Sequence, residues 1–350
     1  MSSSGARPRI DPVRWQPPPV RPLPDFGPAE LTVRPMPGDA PEDIVVDADG
    51  MLWAGLVDGR IVRIDPEGPV TVVANLADCA VPGRPLGMAV AHDGRLLICA
   101  SPGGLLAMDR ATGSLEVLVD SVDFRPLTFC SNVVDLPDGT IYFTQSTAKF
   151  TFAHFKAAIF ESRGDGGLFR RDPDGTVTQL LSNLYFANGL TLTADGSALV
   201  FAETQGRRLS KYWLTGSRAG TVTRLAEHLS GMPDNISTGS DGRIWCAMVT
   251  PANKAADFLA PRAPMLRKLI WRLPDRLQPQ IEPVVWVVAF DPDTGAAVAG
   301  VRMTHPDFGA VTGLVEHRGR LWLATIGYPA IASITTPVTA RLPDFPGGVA

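Results

Sequence analysis

Six residue pairs in this 350-residue chain hold the same place in a recurring stretch, and most of them carry side-chain oxygen. They are Glu42-Asp43, Leu86-Gly87, Ser131-Asn132, Asn188-Gly189, Asp234-Asn235 and Val311-Thr312, each followed by an apolar run and a turn glycine (Gly50, Gly94, Gly139, Gly196, Gly242, Gly319). If equivalent positions converge, Glu42, Asn132, Asn188, Asp234 and Asn235 meet at one spot. Carboxylates and amide oxygens without His or Cys form a hard donor set, suited to Ca²⁺, or to Mg²⁺ or Mn²⁺ with more water. Converged without a cation, the two carboxylates would repel in a partly dry channel. One Asn or Asp at a strand start can simply cap a turn. Four in register point to a shared site.

A repeat has to position them. After each turn glycine comes a second strand, such as Met51-Leu52-Trp53-Ala54, Ile141-Tyr142-Phe143-Thr144 or Leu321-Trp322-Leu323-Ala324. A third strand and, in several copies, a fourth follow, and the units repeat at spacings near 45 residues, longer at the third and fifth, the period of a propeller blade. The expected fold is therefore all-β, a six-bladed β-propeller spanning 29–340, with a Pro-rich leader at 1–28 and a tail at 341–350. The last copy ends after three strands near Ile334, so Leu31-Thr32-Val33-Arg34 is expected to complete it and close the ring. In such a blade the first strand lines the channel. Its start and the loop between strands two and three then share one mouth, and the Asp-Gly turns face away. Two of those loops are long, about 145–166 and 249–283, and are expected to form lids. The second contains Met265–Leu273, with helical apolar spacing and a basic face, a pattern that suits contact with a membrane surface as well as a lid.

Composition limits the alternatives. A net charge of −4 gives no sign of nucleic-acid binding. The four cysteines (Cys79, Cys99, Cys130, Cys246) lie far apart without a CxxC pair; a Cys79–Cys99 bridge requires an oxidising compartment. No run of ~20 apolar residues predicts a membrane span. The leader lacks the apolar core of a signal peptide, which favours the cytoplasm. The turn acids Asp49, Asp93, Asp138, Asp195 and Asp241 are expected as turn formers. Among the histidines, His154 and His305 belong near the mouth, and His305 is a candidate base. No GxSxG elbow and no Walker loop occurs.

The stretches Gly83-Arg84-Pro85-Leu86-Gly87, Phe186-Ala187-Asn188-Gly189, Ala202-Glu203-Thr204, Pro233-Asp234-Asn235-Ile236 and Leu266-Arg267-Lys268 resemble the strictosidine synthase-like family, across roughly Asp39 to Pro337. These propellers are distant relatives of gluconolactonases and paraoxonases. The resemblance implies a divalent cation in the channel, with ligands at Glu42, Asn132, Asn188 and Asp234, and at Asn235 in the paraoxonase manner. It also exposes two departures. Thr312 stands where the synthase carries its acid–base glutamate, and Leu86 where paraoxonases carry a histidine.

The expected function is a metal-dependent hydrolase of a lactone, ester or organophosphate-like small molecule. Asp234, Asp43 or His305 would assist the attacking water, and the aromatic lid would supply an apolar pocket. The alternative is a non-catalytic binding propeller with a structural Ca²⁺.

Overall fold

Short strands that are apolar on both faces must be covered on both sides, so each four-stranded unit stacks on its neighbours. In the computed structural model, which describes residues 7–338, the units form six four-stranded antiparallel sheets arranged as the six blades of a propeller. Five blades run in chain order from inner to outer strand. The sixth is built from both ends of the ring: Thr32–Pro35 pairs with Ala330–Thr335, Thr32 opposite Ser333. The expected closing strand is there, shifted by one residue. Apolar side chains interleave between blades; Trp245, Val287, Leu314 and Leu323 fill the space between the fifth and sixth.

The far-face turns are built alike. In the first, Gly50 (φ 82°) donates to the Asp47 carbonyl at 2.9 Å, while Asp47 Oδ1 accepts the N–H groups of Asp49 and Met51, both at 3.0 Å. The sixth blade departs from this. His317 lies opposite Arg320 with only Arg318 (φ 50°) and Gly319 (φ 73°) between them, a tight turn with two left-handed residues. Counting back from Gly319 therefore lands one residue early. The pair equivalent to the others is Thr312-Gly313, not Val311-Thr312.

Both long loops carry helices. The first holds α1 (Phe155–Glu161); the second holds α2 (Lys254–Leu259) and α3 (Pro264–Arg272). Asn253 caps α2, its side chain accepting from Ala256 N–H at 2.9 Å, and Pro264 opens α3, where its missing N–H costs nothing. The leader runs across both lids: Val13 N–H donates to the Glu161 carbonyl at 2.9 Å, Trp15 N–H to Ala260 at 3.2 Å, and Trp271 Nε1–H to Pro8 at 2.8 Å. Residues 1–6 of the leader and the expected tail at 341–350 lie outside the described residues.

One sequence expectation needs amending. Cys99 faces Cys130, Sγ to Sγ 2.9 Å, and not Cys79; all four cysteines are free. Among the described residues no helix is long and apolar enough to cross a membrane.

Candidate functional site

One backbone device aims the inner-strand pairs. In blades two to six the ladder shifts at this point. Pro85 pairs with Ala100 and Met88 with Ile98, three residues against two, and Cys130–Val133, Ala187–Leu190, Pro233–Ile236 and Val311–Leu314 repeat the shift. A bulge of this kind frees two residues from the ladder and re-aims their side chains. In blade one Glu42-Asp43 lies just before the inner strand Ile44–Val46. The second residue of the pair alternates around the ring: Asp43, Gly87, Asn132, Gly189, Asn235, Gly313. The glycines make room for the polar residue of the next blade. A Cβ on Gly87 would stand 2.6 Å from Asn132 Nδ2, one on Gly189 2.6 Å from the Asn235 Cα, and one on Gly313 2.4 Å from Asp43 Oδ1.

The five residues expected to converge do so, all buried. Asn132 Nδ2 donates to Asn235 Oδ1 at 2.9 Å, and Asn235 Nδ2 lies 3.4 Å from Glu42 Oε1. Asn188 Nδ2 donates to Asp234 Oδ1 at 2.6 Å and to Thr204 Oγ1 at 3.1 Å. Thr312 Oγ1–H donates to the Glu42 carbonyl at 2.6 Å. Glu42 Oε2 is buried and has no hydrogen-bond partner. An orphaned carboxylate oxygen at this depth is costly.

The electrostatics follow from burial. Desolvation pushes the Glu42 carboxyl well above its ordinary value, and the nearby charges of Asp234 and Asp43 push it further. Desolvation likewise raises Asp234 to about 8 and Asp43 to about 7, against hydrogen bonds that favour their ionised forms. A hard divalent cation would remove the repulsion and give Glu42 Oε2 a partner. Glu42 and Asp234 supply the charge, and the amides of Asn188 and Asn235 need only a half-turn to present oxygen in place of N–H₂. Among the described residues no group of three or more His, Cys, Asp or Glu could hold a metal ion, so such a site depends on its amides.

Above the cluster lies a cavity of about 80 Å³, whose lining includes Glu42, Ser131, Asn188, Asp234 and Thr312 below and Phe129, Phe152, Phe155 and Phe186 around it. Phe186 holds φ at 59°, a left-handed residue two positions before Asn188. A second chamber of about 590 Å³ adjoins the first, sharing Phe155, Ile159, Met232, Thr250 and Ile281. Trp15 of the leader forms part of its wall and stacks on Tyr185 with ring centroids 5.2 Å apart.

Two expected participants stand apart from the cavity. Asp43 turns between blades, Oδ2 accepting the Met88 N–H at 2.9 Å. His305 sits in the turn after the outer strand of blade five, where its Nδ1 accepts the Asp307 N–H at 3.1 Å, and it lines neither chamber. Sequence reasoning gave no role to Arg84. Burial lowers this guanidinium to about 10, with the Glu42 charge opposing the drop; it lies 3.9 Å from the Phe152 ring centroid and 3.3 Å from the Ala40 carbonyl. A lone cation two residues before an otherwise uncharged pair was its only signal.

Residues 132–217 match the strictosidine synthase family profile, and residues 29–64 match the N-terminal profile of strictosidine synthase-like proteins. The chain is 34% identical to strictosidine synthase-like 6 of Arabidopsis thaliana over 66% of its own length and 62% of that protein's, so the match leaves more than a third of that relative uncovered. It is 30% identical to the adipocyte plasma membrane-associated protein of Salmo salar, over 84% of this chain and 75% of that one. In fold it is similar to a gluconolactonase of Xanthomonas campestris (TM-score 0.63, 18% identity, 95% of this chain and 99% of that one). It is likewise similar to the calcium-binding protein regucalcin of Agrobacterium tumefaciens (TM-score 0.62, 18% identity, 91% and 98%).

Proposed function

The chain belongs to the strictosidine synthase-like family, and from that premise we propose a divalent-cation-dependent hydrolase acting on a lactone, ester or organophosphate-like small molecule. The observation that carries this reading is the buried, unpartnered Oε2 of Glu42 beside Asp234 at the floor of an apolar cavity. The fold-level likeness to a gluconolactonase and to a calcium-binding regucalcin supports the chemistry and the choice of Ca²⁺. Mg²⁺ or Mn²⁺ suits the same oxygens with more water.

Glu42 and Asp234 would hold the cation with the amide oxygens of Asn188 and Asn235, and Asn132 lies beside Asn235. When bound, it polarises a carbonyl or phosphoryl oxygen as a Lewis acid. Asp234, buried with Glu42 on the cavity floor, would take the proton of the attacking water. The phenylalanines of the first lid exclude bulk water and hold the apolar part of the substrate. Thr312, a hydroxyl bound to the Glu42 carbonyl, cannot do a glutamate's acid–base work, so the amine–aldehyde condensation of the synthase is not proposed. The test is a panel of lactones and aryl esters, with and without chelator, for wild type and Asp234→Asn. Turnover abolished by either change supports the reading; no turnover on any member, or turnover indifferent to both, overturns it.

A second reading is a binding propeller in which the cation is purely structural. What favours it is that the same hydrogen bonds tie blades together, Asn132 to Asn235 to Glu42 and Asn188 to Asp234. Strong thermal stabilisation by Ca²⁺ with no hydrolysis would select it.

A further inference from the structure

Helix α3 is inside out. Its buried positions are Arg267, 4% exposed, and Trp271, one turn apart. Its outward positions are Met265, 70% exposed, Leu266, and Leu269, 57% exposed; Leu273 follows at its end. The inversion is stable because Arg267 is surrounded by acceptors. Its guanidinium donates to the Phe160 carbonyl at 2.8 Å, to Ser162 Oγ and the Ala260 carbonyl at 3.1 Å, and to the Val13 carbonyl. Phe258 on α2 and Leu277 beyond α3 are also about 60% exposed. Half of the large apolar side chains exposed among the described residues therefore fall in this one lid, which marks it as a contact surface.

The charge around these side chains narrows the choice of partner. The whole chain is acidic, with a net charge of −4, yet residues 254–277 hold six basic side chains and two acidic ones. Both acids are paired elsewhere, Asp257 with Arg207 at 2.7 Å and Asp275 with Arg7 at 2.8 Å. Lys254, Arg262, Arg272 and Arg276 are exposed and have no ion-pair partner among the described residues. Exposed apolar residues set among unpaired cations on short helices fit a lipid–water interface whose headgroups are anionic. They fit a second copy of this acidic chain less well, because the patch would meet itself, cation against cation, in a two-fold contact.

We propose that the second lid is a docking surface for an anionic phospholipid bilayer, with Met265, Leu269 and Phe258 dipping below the headgroups and the four free basic residues at headgroup level. Trp271 and Ile270 on the opposite side of α3 face inward, and Ile270 lines the 590 Å³ chamber together with Leu259 of α2. One lid thus separates the bilayer from the apolar chamber, and an apolar molecule leaving the membrane has only this lid to cross.

The test is cosedimentation of the full chain with vesicles of phosphatidylcholine alone and of phosphatidylcholine mixed with phosphatidylserine. It uses no substrate, so its failure leaves the hydrolase reading untouched. Wild type is expected to bind the mixed vesicles and to leave the neutral ones largely unbound, with binding weakened by added salt. Met265→Ser and Leu269→Ser are each expected to lower the partition coefficient about tenfold. Arg272→Gln and Arg276→Gln together are expected to lower it at least about tenfold on anionic vesicles only. All four positions are exposed, so the fold is not at risk. Failure to bind either vesicle overturns the proposal, as does binding that survives every lid variant. Light scattering that shows a dimer dissolved by Leu269→Ser, with no vesicle binding, overturns it in favour of self-association.

Discussion

The two ends of the inner strands hold the same kind of side chain and treat it in opposite ways. At the mouth, burial raises Asp234 to about 8 although the Asn188 amide donates to it. At the far face, the Thr193 hydroxyl and the Ser197 N–H and hydroxyl hold Asp195 down to about 2. Asp138 is lowered in the same manner, by the Thr140 N–H first. The repeat places a carboxylate at either end; the surroundings decide what it does. Donors and water make the far-face acids ordinary turn formers. At the mouth, desolvation and like charge leave the carboxylates poised for a partner that brings positive charge.

The sharpest break in this comparison is loss of that partner. Asp234→Ala, or chelation of the wild type, is expected to lower hydrolysis at least about 10²-fold, read as kcat/KM on the best substrate of the panel. Asp195→Ala should leave it unchanged. Backbone space comes second. Gly189→Ala would push a Cβ to 2.6 Å from the Asn235 Cα and the Asp234 carbonyl, and is expected to destabilise by about 1–3 kcal/mol in urea melts. Gly196 at the far face has nothing within 4 Å; Gly196→Ala suffers only from its φ of 70°, about 1 kcal/mol.

A third expectation concerns pH. A carboxyl whose pKa is raised on folding holds its proton more tightly in the folded state, so stability falls as pH rises from the unfolded value near 4 to the folded one. For Asp43 and Asp234 that window closes at about 7 and about 8. The chelated protein should therefore lose Tm steadily between pH 4 and pH 8, and Ca²⁺ should flatten the slope. The sign is opposite for Asp195: its contribution is present above about pH 4 and is lost as pH falls towards 2. Least of all, Asp195→Ala is expected to cost below about 1 kcal/mol, because the turn is exposed and water replaces the lost acceptor.

Much of this was legible in the residues. Turn glycines after a recurring apolar strand gave the six blades, and the incomplete last copy gave the closing strand, because both are backbone requirements written in residue type. Register placed Glu42, Asn132, Asn188, Asp234 and Asn235 together for the same reason. The sixth blade slipped by one because its two-residue turn looks like the others until the φ angles of Arg318 and Gly319 are known. Gly313 was the overlooked clue, since it restores the alternation of glycine and polar residue. The leader's path was not legible at all: it is fixed by the carbonyls of Pro8 and Val13 and by backbone N–H groups, which every sequence possesses. Arg267 was hidden for a related reason, since an arginine at an inward position looks wrong until the carbonyls around it are counted.

The strand that closes the ring bears on how the molecule comes to exist. Thr32 pairs with Ser333, roughly 300 residues away along the chain, so this pairing carries the largest loop-closure cost in the propeller. Blades one to five can each gather their strands locally, but Glu42 and Thr312 meet only when the first and sixth blades come together. The mouth is therefore complete only once the circle has shut. A chain shortened past Pro35 should still form blades, yet bind a cation weakly and unfold quickly, because nothing would hold the two ends of its circle together.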